Sequence, residues 1–123
     1  MTAGNSRELP IQLAVETTGR TGSAVLMSGD NVLLRRPMGE QIRTAAAIGP
    51  CLEEMLSWCR TEKKSIDFIS VAVGPGSFTG LRIGVTAAKM LSYALKLPLV
   101  AVDSLASVAA VVLFENPDLQ TLR

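Results

Sequence analysis

The eleven contiguous residues Gly74-Pro75-Gly76-Ser77-Phe78-Thr79-Gly80-Leu81-Arg82-Ile83-Gly84 form the one segment whose types and spacing could do chemistry on a bound group. Glycines let a backbone take positive φ or approach a ligand closely, and the N–H groups at the start of a helix suit an anion. A second polar turn, Thr17-Thr18-Gly19, follows Glu16. Thr17, Thr18, Gly74, Pro75, Gly76, Ser77, Phe78, Thr79 and Gly80 are therefore the candidates for phosphate contact. Spacing limits that reading. No Gly-Lys-Ser/Thr follows, so the loop is not a P-loop, and Thr79 stands where a dinucleotide fingerprint needs its third glycine. The competing reading is a tight turn with Ser77 or Thr79 capping the next helix.

The rest of the inventory removes most familiar chemistry. The chain has no histidine, which excludes within it a His-based zinc site, a Ser-His-Asp triad and a Cys-His pair. Cys51 and Cys59 lie eight apart in one expected helix. At about 1.5 Å rise per residue they are too distant for a mutual disulfide, and they read as reduced thiols. A two-metal nuclease needs clustered carboxylates. Glu16 and Glu53 could supply two, but the apolar run beginning at Phe68 ends on Gly74 with no acid at its exit. We expect no catalytic residue and no metal ligand.

Those candidates need elements to hold them. Ile11 to Glu16, Ser23 to Met27 and Val32 to Leu34 are apolar runs separated by the Thr17–Gly22 and Ser28–Asn31 turns, which predicts a three-stranded antiparallel meander. From about Thr44 to Arg60 the period becomes helical, with Ile48, Leu52, Met55 and Cys59 on one stripe. Gly49-Pro50 either kinks that helix or begins it. Phe68 to Val73 reads as a buried parallel strand. A helix from Leu81 to Lys96, a strand from Pro98 to Val102 and a helix from about Ser104 to Phe114 follow, with Asp103 or Ser104 as the last cap.

The order β-β-β-α-β-α-β-α calls for an α/β fold with a mixed five-stranded sheet, antiparallel first and then extended by right-handed crossovers. It is the order of one ribonuclease-H-like lobe, the unit duplicated in the actin-like ATPase superfamily. With 123 residues, 48% of them hydrophobic, the chain can bury one modest core. We expect residues 1–10 to be a flexible arm and 11–123 a single lobe. A formal charge of +1 without a Lys/Arg cluster gives no independent footprint for nucleic acid. No apolar run is long enough to span a bilayer, and the N-terminus lacks a signal core, so a cytoplasmic protein is expected.

The unbroken string from Gly74 to Gly84 resembles the hallmark of the TsaB (YeaZ) family. The likeness extends to the first strand with its Thr17-Thr18 turn, to the Pro50 helix, and to Leu97-Pro98-Leu99-Val100-Ala101-Val102 followed by Ser104-Leu105. It covers nearly everything from Ile11 to about Val112. The resemblance implies a noncatalytic member of the actin-like ATPase superfamily that pairs with the catalytic subunit TsaD and works with the ATPase TsaE to make threonylcarbamoyladenosine in tRNA. ATP and magnesium would then act at the level of the complex, and tRNA would be met only through it. Three features depart from the family: Glu16 stands where Asp is usual before the Thr pair, Thr44 where many members have His, and the family normally continues into a second lobe whereas this sequence stops at Arg123. Some relatives carry a glycoprotease label, yet no nucleophile pair is present for such a mechanism.

Partner contact is expected on the Leu81–Lys96 helix. At about 100° per residue, Arg82, Thr86, Lys89, Tyr93 and Lys96 share one polar wedge and the remaining circumference is apolar or small. Leu81, Val85, Ala88 and Leu95 suit a sheet. Ile83, Ala87, Met90 and Ala94 suit a close helix-to-helix contact, either with a neighbouring helix of the same lobe or with another subunit. A homodimer in isolation, TsaD and TsaE are the expected partners. The alternative is a phosphate- or ATP-binding lobe of an actin-like ATPase or kinase.

Overall fold

The computed structural model describes residues 9–19, 21–76 and 78–103. Strands β1 (Ile11–Glu16), β2 (Thr21–Ser28) and β3 (Asn31–Glu40) precede helix α1 (Gln41–Thr61). Strand β4 (Phe68–Ala72), helix α2 (Phe78–Leu95) and strand β5 (Leu99–Val102) follow. They build one mixed sheet in the order β3-β2-β1-β4-β5. The first three strands pair antiparallel, while β1 with β4 and β4 with β5 are parallel. This is the expected α/β architecture. The helix expected from Ser104 and the cap at Ser104 lie outside the described residues, as does most of the expected arm.

Strict alternation explains the core. Ile11, Leu13 and Val15 of β1 are buried while Gln12, Ala14 and Glu16 are half-buried, the period-2 pattern of a strand with unlike faces. Leu13 sits opposite Leu26 on one side and Ile69 on the other, and Val15 opposite Ala24 and Val71. Ile48, Cys51, Leu52, Met55 and Cys59 from α1, with Ala88 from α2, close over this face. On the opposite face the hydroxyl of Ser70 donates to the Gln12 side-chain oxygen at 2.7 Å. The start of the central pair is clamped by Asp67, whose carboxylate accepts from the Ile11 N–H at 2.8 Å while its own N–H donates to the Ile11 carbonyl.

Two elements differ from the sequence reading. Helix α1 begins at Gln41 and runs through Pro50, so Pro50 does not start it. A helix-interior proline costs about 3 kcal/mol, but the buried stripe keeps helical spacing on both sides of it. Strand β3 extends ten residues, through Pro37, rather than stopping at Leu34. Its place at the sheet edge is what tolerates a residue without an N–H.

Candidate functional site

The turn after β1 and the loop before α2 come together, and each is shaped by the other. Thr17, 2% exposed, donates its hydroxyl proton to the carbonyl of Gly80 at 2.5 Å, a contact between residues 63 apart in the chain. A Cβ on Gly84 would fall inside van der Waals contact with that same hydroxyl and 3.3 Å from the Thr17 Cβ. A Cβ on Gly76 would overlap the Thr18 Cβ and lie 2.7 Å from the Thr18 carbonyl oxygen. Gly76 and Gly84 are thus small because Thr17 and Thr18 press against them. Gly74 is glycine for a different reason, its φ of +111°, which side chains rarely adopt.

Helix α2 starts at Phe78, so Phe78, Thr79 and Gly80 belong to its first turn. Thr79 therefore cannot be the cap; it sits one residue inside the helix. Ser77 lies outside the described residues. Pro75, Gly76, Phe78 and Thr79 are exposed, whereas Gly74 and Gly80 are buried. The structure brings Thr17, Thr18, Gly76, Gly80 and Gly84 into one packed junction, and Gly84 was not among the phosphate candidates.

Glu16, by sequence one of two acids considered for a two-metal site, bonds to its own turn. Its carboxylate accepts hydrogen bonds from the Thr18 N–H, from the Thr18 hydroxyl at 2.7 and 2.8 Å, and from the Gly19 N–H at 3.3 Å. Among the described residues no group of three or more His, Cys, Asp or Glu is gathered in metal-ligating geometry. Both cysteines are free and buried. Burial pushes the Cys51 thiol up, with the Glu54 carboxylate adding to it and the Arg36 guanidinium opposing, and burial alone pushes up Cys59. Thiols held protonated at neutral pH are poor nucleophiles.

The α2 faces separate only in part as their spacing predicts. Gly80, Gly84 and Ala88 are buried against the sheet, and Leu81 and Val85 are half-buried. Arg82, Thr86, Lys89, Tyr93 and Lys96 are exposed. Of the four interface candidates, Ile83 and Ala87 are half-buried against the core, while Met90 and Ala94 are exposed. Leu95, grouped with the sheet side by its spacing, is 40% exposed at the helix end. Phe78 is 72% exposed and the Arg82 guanidinium lies 5.6 Å from its ring centroid, within cation–π range. No helix among the described residues is long and apolar enough to cross a membrane.

Residues 39–122 match the family model TsaD: tRNA N6-adenosine threonylcarbamoyltransferase. The tRNA threonylcarbamoyladenosine biosynthesis protein TsaB of Bacillus subtilis (strain 168) is 36% identical over 98 residues, which cover 80% of this chain and 43% of that protein. TsaB of Buchnera aphidicola is 42% identical over 60 residues, covering 49% of this chain and 27% of that protein. The solved structure of YeaZ from Pseudomonas aeruginosa superposes with a TM-score of 0.72 at 25% identity, covering 89% of this chain and 51% of that one. The chain thus spans about half or less of the relatives it matches. With a family model that matches more than half of the chain and TsaB and YeaZ relatives in both sequence and structure, the chain belongs to the TsaD family, and within it to the TsaB (YeaZ) branch.

Proposed function

We propose that the chain is a noncatalytic docking subunit of the machinery that makes threonylcarbamoyladenosine in tRNA, binding TsaD and supporting threonylcarbamoyl transfer to adenosine. The observation that carries this reading is the contrast between a closed loop and an open helix. Two of the groups that could have served a phosphate are engaged within the chain: the Thr17 hydroxyl with Gly80, and the Thr18 hydroxyl with Glu16. Meanwhile Phe78, Met90 and Tyr93 of α2 are 72%, 67% and 89% exposed, and aromatic residues, Met and Arg are the types enriched at protein interfaces. Met90 and Ala94 form the proposed contact strip, with Ile83 and Ala87 along its inner edge.

On this reading TsaE joins through the assembled complex, tRNA is met only there, and any ATP and magnesium act there. Without TsaD the same strip supports a homodimer. The isolated chain is expected to hydrolyse neither ATP nor peptides above background in a coupled phosphate-release assay and a fluorogenic peptide assay. A turnover abolished by Thr17→Ala or Ser77→Ala would replace the docking reading with the ATPase or kinase one.

A further inference from the structure

The charges of the helical layer are sorted by side. No Asp or Glu occurs between Asp67 and Asp103, whereas Arg82, Lys89 and Lys96 do. Seven residues apart, these cations return to one side of α2 with a drift of about 20° per step and run along it for about 21 Å. All three are exposed, and among the described residues none has a carboxylate within ion-pair reach. Arg82 lies instead against the exposed Phe78 ring. Helix α1 keeps the same division. Its acids, Glu53 and Glu54, line the groove toward β3, where Glu54 pairs with Arg36 at 2.6 Å. On the side toward α2 its end offers Arg60, which with Lys64 borders the hollow beside Leu95 and Leu97. The exposed side of α2 is thus a cationic row next to the Met90 and Ala94 strip, on a helix with no acid of its own.

We propose that this row selects the partner by charge: the protein surface that docks on α2 presents carboxylates to Arg82, Lys89 and Lys96, and a second copy of this chain, which presents cations, is disfavoured there. The inference rests on the docking reading and adds the chemistry of the surface that α2 meets. Symmetry supplies its second half. In a two-fold dimer the same patch lies on both copies, so a helix without acids sets only cations against cations. An acidic surface is attracted to the same row, and charge arranged in this way governs which partner binds more than raw affinity. The spacing suits a facing helix, on which residues seven apart also rise about 10 Å and carboxylates at that interval match the row one for one. The two associations therefore answer to salt with opposite signs. The Debye length falls from about 10 Å at 0.1 M salt to about 3 Å at 1 M, which weakens the attraction and relieves the repulsion.

Sedimentation velocity at about 0.05 M and about 0.5 M sodium chloride reads both equilibria. The complex with TsaD is expected to weaken by at least about threefold at the higher salt, and the homodimer to tighten by at least about threefold. A double variant, Lys89→Gln with Lys96→Gln, removes two of the charges from exposed positions. At the lower salt it should do what salt does to the unaltered chain, loosening the complex and tightening the homodimer by about threefold or more each. Its melting temperature should stay within about 2 °C of the unaltered chain, and a mere loss of fold would weaken both associations together. The proposal is overturned if salt or the double variant moves both associations in the same direction, or if no homodimer forms under any of these conditions. A TsaD complex that forms but ignores both salt and the double variant overturns the charge selection and leaves the docking reading standing. No complex at either salt contradicts the docking reading itself, and this inference falls with it.

Discussion

Gly84→Ala is expected to cost about 2–3 kcal/mol of folding stability, and the same replacement in a Thr17→Ala background about 1 kcal/mol or less. The new methyl group would collide with the Thr17 hydroxyl. Thr17 cannot step aside, because a β-branched side chain has few rotamers and this one is buried and bonded to the Gly80 carbonyl. Removing the hydroxyl leaves the Thr17 Cβ at 3.3 Å, a separation that small shifts can relieve. Urea titrations of the two single variants and the double variant close the cycle. A coupling of about 1–2 kcal/mol is expected; additivity within about 0.5 kcal/mol would mean that Gly84 is small for some other reason. Gly76 supplies a control. Its obstruction is the Thr18 Cβ and backbone, with the carbonyl oxygen at 2.7 Å and Cα at 3.1 Å, all of which alanine keeps, so Thr18→Ala should not rescue Gly76→Ala.

Ala88→Glu is expected to unfold the chain or to remove most of its stability. Ala88 is 0% exposed and belongs to the cluster in which α2 meets Leu13, Val15, Ile69 and Val71. A carboxylate there is larger than the space and has no partner, and an uncompensated buried charge costs about 3–5 kcal/mol. Total stability for a domain of this kind is only about 5–15 kcal/mol. Thermal melts followed by circular dichroism decide the matter. A melting temperature within about 2 °C of the unaltered chain would show that the sheet-facing side of α2 has been misassigned.

Much of this was legible in the residues before any coordinates. Alternation in Ile11 to Glu16 and the helical stripe of Ile48, Leu52, Met55 and Cys59 report directly which side is buried, because strand and helix periods differ. Ala88 and Met90 were assigned to different faces by spacing alone, and the structure buries the first and exposes the second. What the sequence could not carry is tertiary in origin. A glycine string says that something approaches the backbone closely, but not whether it is a ligand or the chain itself. Here Thr17 and Thr18, some sixty residues earlier, fill that role. The length of β3 and the passage of α1 through Pro50 depend likewise on edge position and on core burial, neither of which a local window contains. Glu16 was visible as an acid next to a polar turn, yet a carboxylate that folds back onto its own turn and one that points outward have the same sequence.

The docking claim is tested most directly by sedimentation velocity of the chain mixed with TsaD, with and without Met90→Glu. Met90 is 67% exposed, so the substitution should leave the melting temperature within about 2 °C, as expected of a surface change. It places an unpaired carboxylate in the contact only when the partner covers it, which predicts a complex for the unaltered chain and a loss of affinity of at least about tenfold for the variant, equivalent to about 1.4 kcal/mol. Equal sedimentation of the two mixtures, with a complex in both, would show that α2 is not the docking surface; no complex in either would contradict the docking function itself.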